Sequence, residues 1–193
     1  MICAACSIRS AAPGGLCRLC ASGFAGGGEQ RLDCGLLVRS AFIHAGTARL
    51  LIHRLKYGAQ PCAAGILGMA MGFVLPHGAA ALIPVPRARL RLWRYGVDPA
   101  LELAIAVGRA TGIPVVRALA PAWWHRRRAG PASALRGVPR FKAVRRPPDG
   151  GVLVDDVVTT GATLTAAASA VGGVGWALTA TVAPRRKSRP CLG

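Results

Sequence analysis

The chain has 193 residues, 52% of them hydrophobic, and its 25 basic and 7 acidic side chains give a formal net charge of +18. This length and apolar content indicate a packed α/β core with a small appendage. The apolar runs are shorter than the ~20 residues that cross a bilayer, and the N-terminus lacks the features of a signal peptide. We therefore predict a cytoplasmic protein without a membrane span.

The basic residues are unevenly distributed. Residues 87–146 contain many Arg and Lys but only Asp98 and Glu102 as acids, and a basic tail follows at 185–189. Such a field favours polyanionic partners such as nucleotides, diphosphates or nucleic acid. A solvated basic surface would have the same composition, and both interpretations stay open.

Four cysteines near the N-terminus form two C-x₂-C pairs, Cys3 with Cys6 and Cys17 with Cys20. Two such pairs can place four thiolates around Zn²⁺, and because all four ligands are sulfur, the zinc would be structural. A disulfide pairing is the alternative, which a cytoplasmic chain disfavours. We predict a zinc-ribbon-like element over residues 1–25 and a second domain over 26–193.

Strands and helices are predicted to alternate along that second domain. Residues 21–30 are rich in glycine and predict a flexible linker, and apolar runs follow at 36–38 and 50–55. The later elements are predicted helices at 62–75 and 99–110, strands at 80–85, 112–116 and 176–182, and a strand, loop and helix in succession over 152–171. This alternation predicts a mostly parallel sheet with helices on both faces.

Residues 121–148 lack periodicity and contain several prolines, which predicts a mobile loop and a candidate lid. Trp123 and Trp124 precede a run of basic residues there. That mixture suits stacking on nucleic-acid bases, and it equally suits a lid that packs on the domain. The four histidines, by contrast, are scattered without metal-ligand spacing and are predicted to be structural or exposed: His44, His53, His77 and His125.

The most informative stretch runs from Val152 to Leu164, with the sequence VLVDDVVTTGATL. An apolar run ends in Asp155 and Asp156, and a Thr- and Gly-rich loop leads into a helical pattern. A helix N-terminus offers backbone N–H groups and a positive dipole end to an anion, and Gly161 allows close approach. Two carboxylates would repel a bare phosphate, but they suit sugar hydroxyls or Mg²⁺. A phosphorylated sugar explains both halves.

This stretch resembles the phosphoribosyl-diphosphate (PRPP) signature of type I phosphoribosyltransferases. With the cysteine pairs, the whole chain resembles the ComF family, which joins a Cys₄ zinc element to such a domain. Four segments carry the likeness: residues 3–20, the LIHRLKYG run at 51–58, the LIPVP run at 82–86, and the signature at 152–164. The resemblance implies a type I phosphoribosyltransferase-like fold over nearly the entire chain.

The resemblance also implies a reaction, in which a nucleophile displaces pyrophosphate from C1 of PRPP, with release of pyrophosphate. Asp155 and Asp156 would hold the ribose hydroxyls, directly or through Mg²⁺. The 5′-phosphate would be held by Thr159, Thr160, Gly161, Ala162 and Thr163. Pyrophosphate would face Lys56, Arg87 and Arg89, although Lys56 is equally well explained as a surface lysine at a strand end.

The chain departs from the usual family pattern after Pro86, where Tyr95–Pro99 replaces an Arg-Gly-aromatic-Asn-Gln stretch. A second hypothesis is therefore a catalytically inactive module of the DNA-uptake machinery that keeps the fold and binds single-stranded DNA or competence proteins. A third is a regulator that senses PRPP or nucleotides. The sequence does not identify the acceptor of the phosphoribosyl group.

Overall fold

The protein is described from a computed structural model, which covers residues 2–9, 11–58, 61–121 and 140–184. The strands are β1 (Gly26–Arg31), β2 (Leu37–Ile43), β3 (Ala81–Pro84), β4 (Leu119–Pro121), β5 (Phe141–Ala143), β6 (Gly151–Val158) and β7 (Trp176–Val182). The helices are α1 (Arg18–Ala21), α2 (Gly46–Gly58), α3 (Pro61–Phe73), α4 (Arg89–Tyr95), α5 (Pro99–Thr111) and α6 (Ala162–Val171).

Five strands form one sheet in the order β1-β2-β7-β6-β3. The pairings β2–β7, β7–β6 and β6–β3 are parallel, and only β1 runs antiparallel to its neighbour. β4 and β5 form a separate antiparallel pair. The predicted α/β class, with a mostly parallel sheet flanked by helices and a cysteine cluster at the N-terminus, is confirmed.

Alternate residues of the central strands face two buried clusters. In β6, Val152 and Val154 pack with the apolar residues of α2, α3 and α5, whereas Leu153 packs with Leu164 and Ala167 of α6 on the other side. A strand covered on both faces reads as a continuous apolar run, as this one does. The parallel strands bring their carboxyl ends to one edge of the sheet, where the segments after β2, β3 and β6 meet.

Several predicted elements are present where the sequence placed them. α3, β3, β6, α6 and β7 match the predicted segments, and α5 begins at Pro99 with Asp98 as its N-cap, whose side chain accepts a hydrogen bond from the Leu101 N–H. Among the described residues, none of the helices combines the length and the apolar character that a bilayer crossing requires.

Two local predictions are wrong. The proposed linker at 21–30 contains most of β1, whose glycines permit close pairing: a Cβ at Gly27 would overlap the Ser40 carbonyl oxygen of β2. The strand proposed at 112–116 is only an isolated bridge between Val115 and Leu82, because Pro114 has no N–H to continue a ladder.

The loop predicted at 121–148 is shorter than expected on its C-terminal side, since Phe141–Ala143 forms β5. Residues 122–139 lie outside the described residues, and with them the candidate lid and its tryptophans. Lys56 lies in the last turn of α2 and not at a strand end.

We expect Gly27→Ala to destabilise the protein by ~1–3 kcal/mol, because the added Cβ would overlap the backbone of β2. Gly28→Ala is the matched control, since a Cβ there meets nothing within 4 Å. Its unfolding free energy should stay within ~0.5 kcal/mol of the parent value. Chemical denaturation of both variants measures the difference, and equal stabilities would contradict close packing of β1 on β2.

Candidate functional site

The four N-terminal cysteines converge on one point. The Sγ atoms of Cys3, Cys6, Cys17 and Cys20 all lie within 4.8 Å of one another, and all four are free thiols. Tetrahedral coordination with Zn–S bonds of ~2.3 Å separates the sulfurs by ~3.8 Å, which a small contraction of the cluster would reach. The four thiols could therefore bind a metal such as zinc.

The thiols of this cluster differ in how readily they ionise. Burial raises the pKa of Cys3, but hydrogen bonds from the backbone N–H groups of Cys17, Cys6 and Ala5 bring it down to about 6. Burial and the neighbouring thiols raise the pKa of Cys20 to about 12. A divalent cation would stabilise the thiolate form of all four cysteines, so metal binding would offset the cost of ionising the buried thiols.

The cysteine element shares its core with the rest of the protein. Its buried cysteines belong to the same apolar cluster as Leu51 and Leu55 of α2 and Leu67 of α3. The Thr47 hydroxyl in the first turn of α2 donates a 2.8 Å hydrogen bond to the Cys20 carbonyl. The predicted domain boundary after residue 25 coincides with the start of β1. The four cysteines nevertheless pack in the same apolar cluster as residues of α2 and α3.

We expect about one zinc ion per chain by elemental analysis, and Cys17→Ser should lower that content and the melting temperature together, because metal binding is coupled to folding. Since the cluster packs on α2 and α3, the loss should extend to those helices in hydrogen exchange. Cys62→Ser is the control, as Cys62 is an exposed thiol outside the cluster. Full zinc retention after replacement of all four cysteines would exclude this site.

β6 carries the two acidic residues toward the carboxyl edge of the sheet. Asp155 and Asp156 are both half-buried and follow the buried residues 151–154. The Oδ1 atom of Asp155 accepts a 2.8 Å hydrogen bond from the Asp156 N–H. Burial raises the pKa of Asp155 well above its ordinary value, and the neighbouring Asp156 carboxylate raises it further. Ionisation of both carboxyl groups is therefore unfavourable unless cations or hydroxyl donors lie close enough to stabilise the two negative charges.

Lys56 supplies a cation to this pair. Its Nζ atom lies 3.0 Å from Oδ2 of Asp156, and the two side chains are only 26% and 13% exposed. An ion pair at this depth is less screened by water than a surface pair. Lys56 was predicted to contact pyrophosphate, and the structure brings it to the acidic residues at the same edge of the sheet.

The loop between β6 and α6 contains a glycine in the left-handed region. Gly161 is the N-cap of α6 and has a φ of +79°, which confirms the prediction that the backbone here has a conformation unfavourable to residues with a Cβ. An added Cβ would also lie 2.6 Å from a Leu32 methyl carbon. Thr159, Thr160 and Ala162 are exposed, and the Ala162 N–H donates a 3.4 Å hydrogen bond to Oγ1 of Thr160. An anion at this end of α6 would replace Thr160 as the acceptor of that N–H.

The two arginines after β3 have different surroundings. Arg87 Nη1 donates hydrogen bonds to the carbonyls of Lys56, at 3.2 Å, and Val97, at 3.0 Å, and its guanidinium lies 4.9 Å from the ring centroid of Tyr95. Arg87 thereby fastens the loop after β3 to the end of α2. Arg89 is exposed at the start of α4.

Sequence reasoning missed His44 as a member of this site. Its Nδ1 atom lies 2.9 Å from Oγ1 of Thr181, and that hydroxyl donates a 3.4 Å hydrogen bond to the Asp156 carbonyl. His44 directly follows β2, and a residue that follows a parallel strand lies at the carboxyl edge of the sheet. A histidine directly after a predicted parallel strand would have indicated this site in the sequence. The apolar run at 36–38 covers only the start of β2, so the sequence did not show that His44 follows a strand.

No protein-family model and no curated protein matches this sequence. Its function is therefore inferred from the motif and from the geometry described above.

We expect Asp155→Asn to raise the melting temperature at pH 7. A carboxyl whose pKa is raised on folding stabilises the protein fully below its unfolded pKa of ~3.9, and that contribution is lost as the pH rises through the folded pKa. Asn keeps the Oδ1 acceptor and carries no charge, so its advantage should shrink as the pH falls toward 4. A lower melting temperature than the parent at pH 7 would contradict this.

Asp156→Asn is the counterpart and should destabilise the protein by ~1–3 kcal/mol at pH 7, because Lys56 would lose its carboxylate partner. Thermal unfolding of the two Asn variants between pH 4 and pH 8 compares them directly. Equal effects at Asp155 and Asp156 would show that the ion pair does not distinguish the two positions.

Proposed function

We propose that this protein is a phosphoribosyltransferase-like protein of the ComF type that binds PRPP or a related ribose phosphate and transfers the phosphoribosyl group with release of pyrophosphate. One observation carries the proposal. The buried strand β6 leads without interruption from two half-buried carboxyl groups, at Asp155 and Asp156, to a left-handed glycine at the open N-terminus of α6. A sugar and its phosphate need these two kinds of group side by side.

In this proposal each part of the ligand meets complementary chemistry. Hydroxyl groups of the ribose donate to the carboxylates of β6, in addition to the Asp156 N–H and the Lys56 ammonium group that already contact them. The 5′-phosphate accepts from the backbone N–H groups that open α6, where the helix dipole also favours an anion. Pyrophosphate faces the basic residues nearest this edge of the sheet: Lys56, Arg87 and Arg89.

The two carboxyl groups also offer the oxygen ligands that Mg²⁺ prefers. Lys56 already lies at Asp156, so a metal ion would have to share that carboxylate with the ammonium group or displace it. Mg²⁺ bound with PRPP would neutralise charge on the departing pyrophosphate. The zinc expected at the four cysteines, in contrast, would have only a structural role, because no coordination position is left for a substrate.

Calorimetry with PRPP and ribose 5-phosphate, in the presence of Mg²⁺, tests the proposal directly. Gly161→Val should abolish the binding of ribose 5-phosphate, because the Cβ would displace the loop against Leu32. Gly172→Val is the matched control: Gly172 also has a positive φ, of +66°, but lies at the other end of α6 in open space.

Both glycine variants should lose ~1–3 kcal/mol of stability through backbone strain, but only Gly161→Val should lose the ligand. Inorganic phosphate and sulfate should compete at the same site, since the loop binds the anion. If Gly161→Val keeps its affinity for ribose 5-phosphate, the loop does not hold the phosphate. If the parent binds neither PRPP nor ribose 5-phosphate, the proposal fails.

A second candidate function is favoured by α4. None of the residues of α4 is buried, Trp93 is 86% exposed, and three arginines accompany it without an acidic residue: Arg89, Arg91 and Arg94. An exposed aromatic ring among cations suits a nucleic-acid or protein interaction module of the DNA-uptake machinery. Salt-dependent binding of single-stranded DNA that Asp156→Asn leaves unchanged, without any binding of PRPP, would favour this function over the first.

A further inference from the structure

His44 lies in a chain of hydrogen bonds that ends at the acidic pair. Its backbone N–H donates to the Val182 carbonyl at 2.7 Å, which fixes the residue beside the end of β7. Its ring Nδ1 lies 2.9 Å from Thr181 Oγ1, and the Thr181 hydroxyl continues to the Asp156 carbonyl at 3.4 Å. Backbone and ring are both held, so the imidazole has a defined orientation in the site.

This chain of hydrogen bonds selects one form of the ring. A threonine hydroxyl has a single proton, and here that proton is directed to the Asp156 carbonyl. With that proton on the Asp156 side, the Thr181 oxygen accepts from His44, and the neutral imidazole that fits this arrangement carries its proton on Nδ1. Nε2 is left as a bare acceptor, and within the described part of the chain it has no hydrogen-bond partner.

The order of the strands places His44 and the loop after β3 on opposite sides of the acidic residues. Across the carboxyl edge the sequence of strands is β2, β7, β6 and β3. The acidic residues come from β6, the loop expected to face pyrophosphate follows β3, and His44 follows β2 on the other flank. Displacement at a carbon brings the nucleophile in from the side opposite the departing group. With pyrophosphate at the loop after β3, the nucleophile would approach from the side of β2 and His44.

We propose that His44 is a catalytic base of the transfer reaction, whose Nε2 atom accepts the proton of the attacking nitrogen nucleophile. This inference rests on the proposed function. In the step, the nitrogen forms a bond to C1 of the ribose, the bond from C1 to the pyrophosphate oxygen breaks, and its electron pair leaves with pyrophosphate. The proton released from the nitrogen moves to Nε2 of His44. The acceptor substrate is thereby a compound with an ionisable N–H, such as ammonia or a nucleobase.

The surroundings of His44 favour the neutral form of its ring, which is the form that has a free nitrogen to accept a proton. Burial lowers its pKa, and the positive charges of Lys56 and Arg49, both on α2, lower it further, against the opposing effect of Asp156 on β6. These surroundings therefore disfavour the charged imidazolium form of His44. Protonation of His44 during the reaction would add a positive charge beside Asp156 as the pyrophosphate carries negative charge away.

The ring form can be measured on the free protein, without any ligand. Two-dimensional ¹⁵N NMR of the full chain should show His44 neutral at pH 7 with the proton on Nδ1. Thr181→Val, which removes the hydroxyl and keeps the side-chain shape, should shift the population toward the Nε2-protonated form. A proton on Nε2 in the parent protein would overturn the inference and leave the proposed function untouched.

Two variants test the base in turnover. His44→Asn retains an N–H donor at the place of Nδ1 and removes Nε2, and His44→Gln places an amide near Nε2 that does not accept a proton. With PRPP, Mg²⁺ and either ammonia or adenine as the nucleophile, both should slow pyrophosphate release by about 100-fold. PRPP affinity by calorimetry should stay within about twofold. His77→Asn, at an exposed histidine after α3, should match the parent in both measurements.

The outcomes separate the two proposals. Unchanged turnover in both His44 variants would overturn the role of His44 alone. A parent that binds PRPP but releases no pyrophosphate with either nucleophile would overturn the transfer reaction and the role of His44, and would leave the binding of PRPP standing. A parent that does not bind PRPP would overturn the proposed function and the role of His44 together. If the His44 variants lost PRPP affinity to the same degree as turnover, His44 would be a binding residue and not a base.

Discussion

The parallel pairing of β6 with β3 on one side and β7 on the other is the constraint on which the rest of this structure depends. It buries the apolar half of β6 between two helical layers and fixes where the strand ends. Everything placed at the carboxyl edge follows from that: the acidic pair, the glycine at the start of α6 and the loop after β3. A shift of the pairing by one residue would exchange the faces of the sheet toward which Asp155 and Asp156 point.

The acidic pair is held at a cost in stability that its surroundings only partly offset. Burial raises the pKa of Asp155, and the adjacent Asp156 carboxylate raises it further, so a negative charge on Asp155 is unfavourable in the folded protein. Lys56 relieves Asp156, and Arg87 in turn holds the turn of α2 that carries Lys56. Ionisable groups whose pKa values are shifted by a well-packed environment are typical of ligand-binding and catalytic sites.

Helix α2 connects this site to the cysteine element. Thr47 in its first turn bonds the Cys20 carbonyl, its apolar face packs with the cysteines, and Lys56 in its last turn reaches Asp156. His44 lies just before the helix begins. A metal at the four cysteines would therefore stiffen the element against which the start of α2 is fixed, although the metal itself takes no part in chemistry at the sheet edge.

The sequence alone was sufficient for the features that depend on local pattern. Apolar runs and their breaks determined β3, β6, α6 and β7, the Asp98–Pro99 pair determined the start of α5, and the spacing of the cysteines determined the cluster. The left-handed glycine at 161 was also foreseeable, because a Gly in a Thr-rich loop before a helix suits that conformation.

Tertiary structure decided what depends on contacts between distant segments. The glycines at 26–28 form part of an edge strand and not a linker, because their backbone pairs with β2. At Gly27 the carbonyl of Ser40 lies where a Cβ would be. Lys56 meets Asp156, and His44 meets Thr181, across about a hundred residues or more of chain. No local pattern encodes such pairs: they exist because parallel strands far apart in sequence end at the same edge of one sheet.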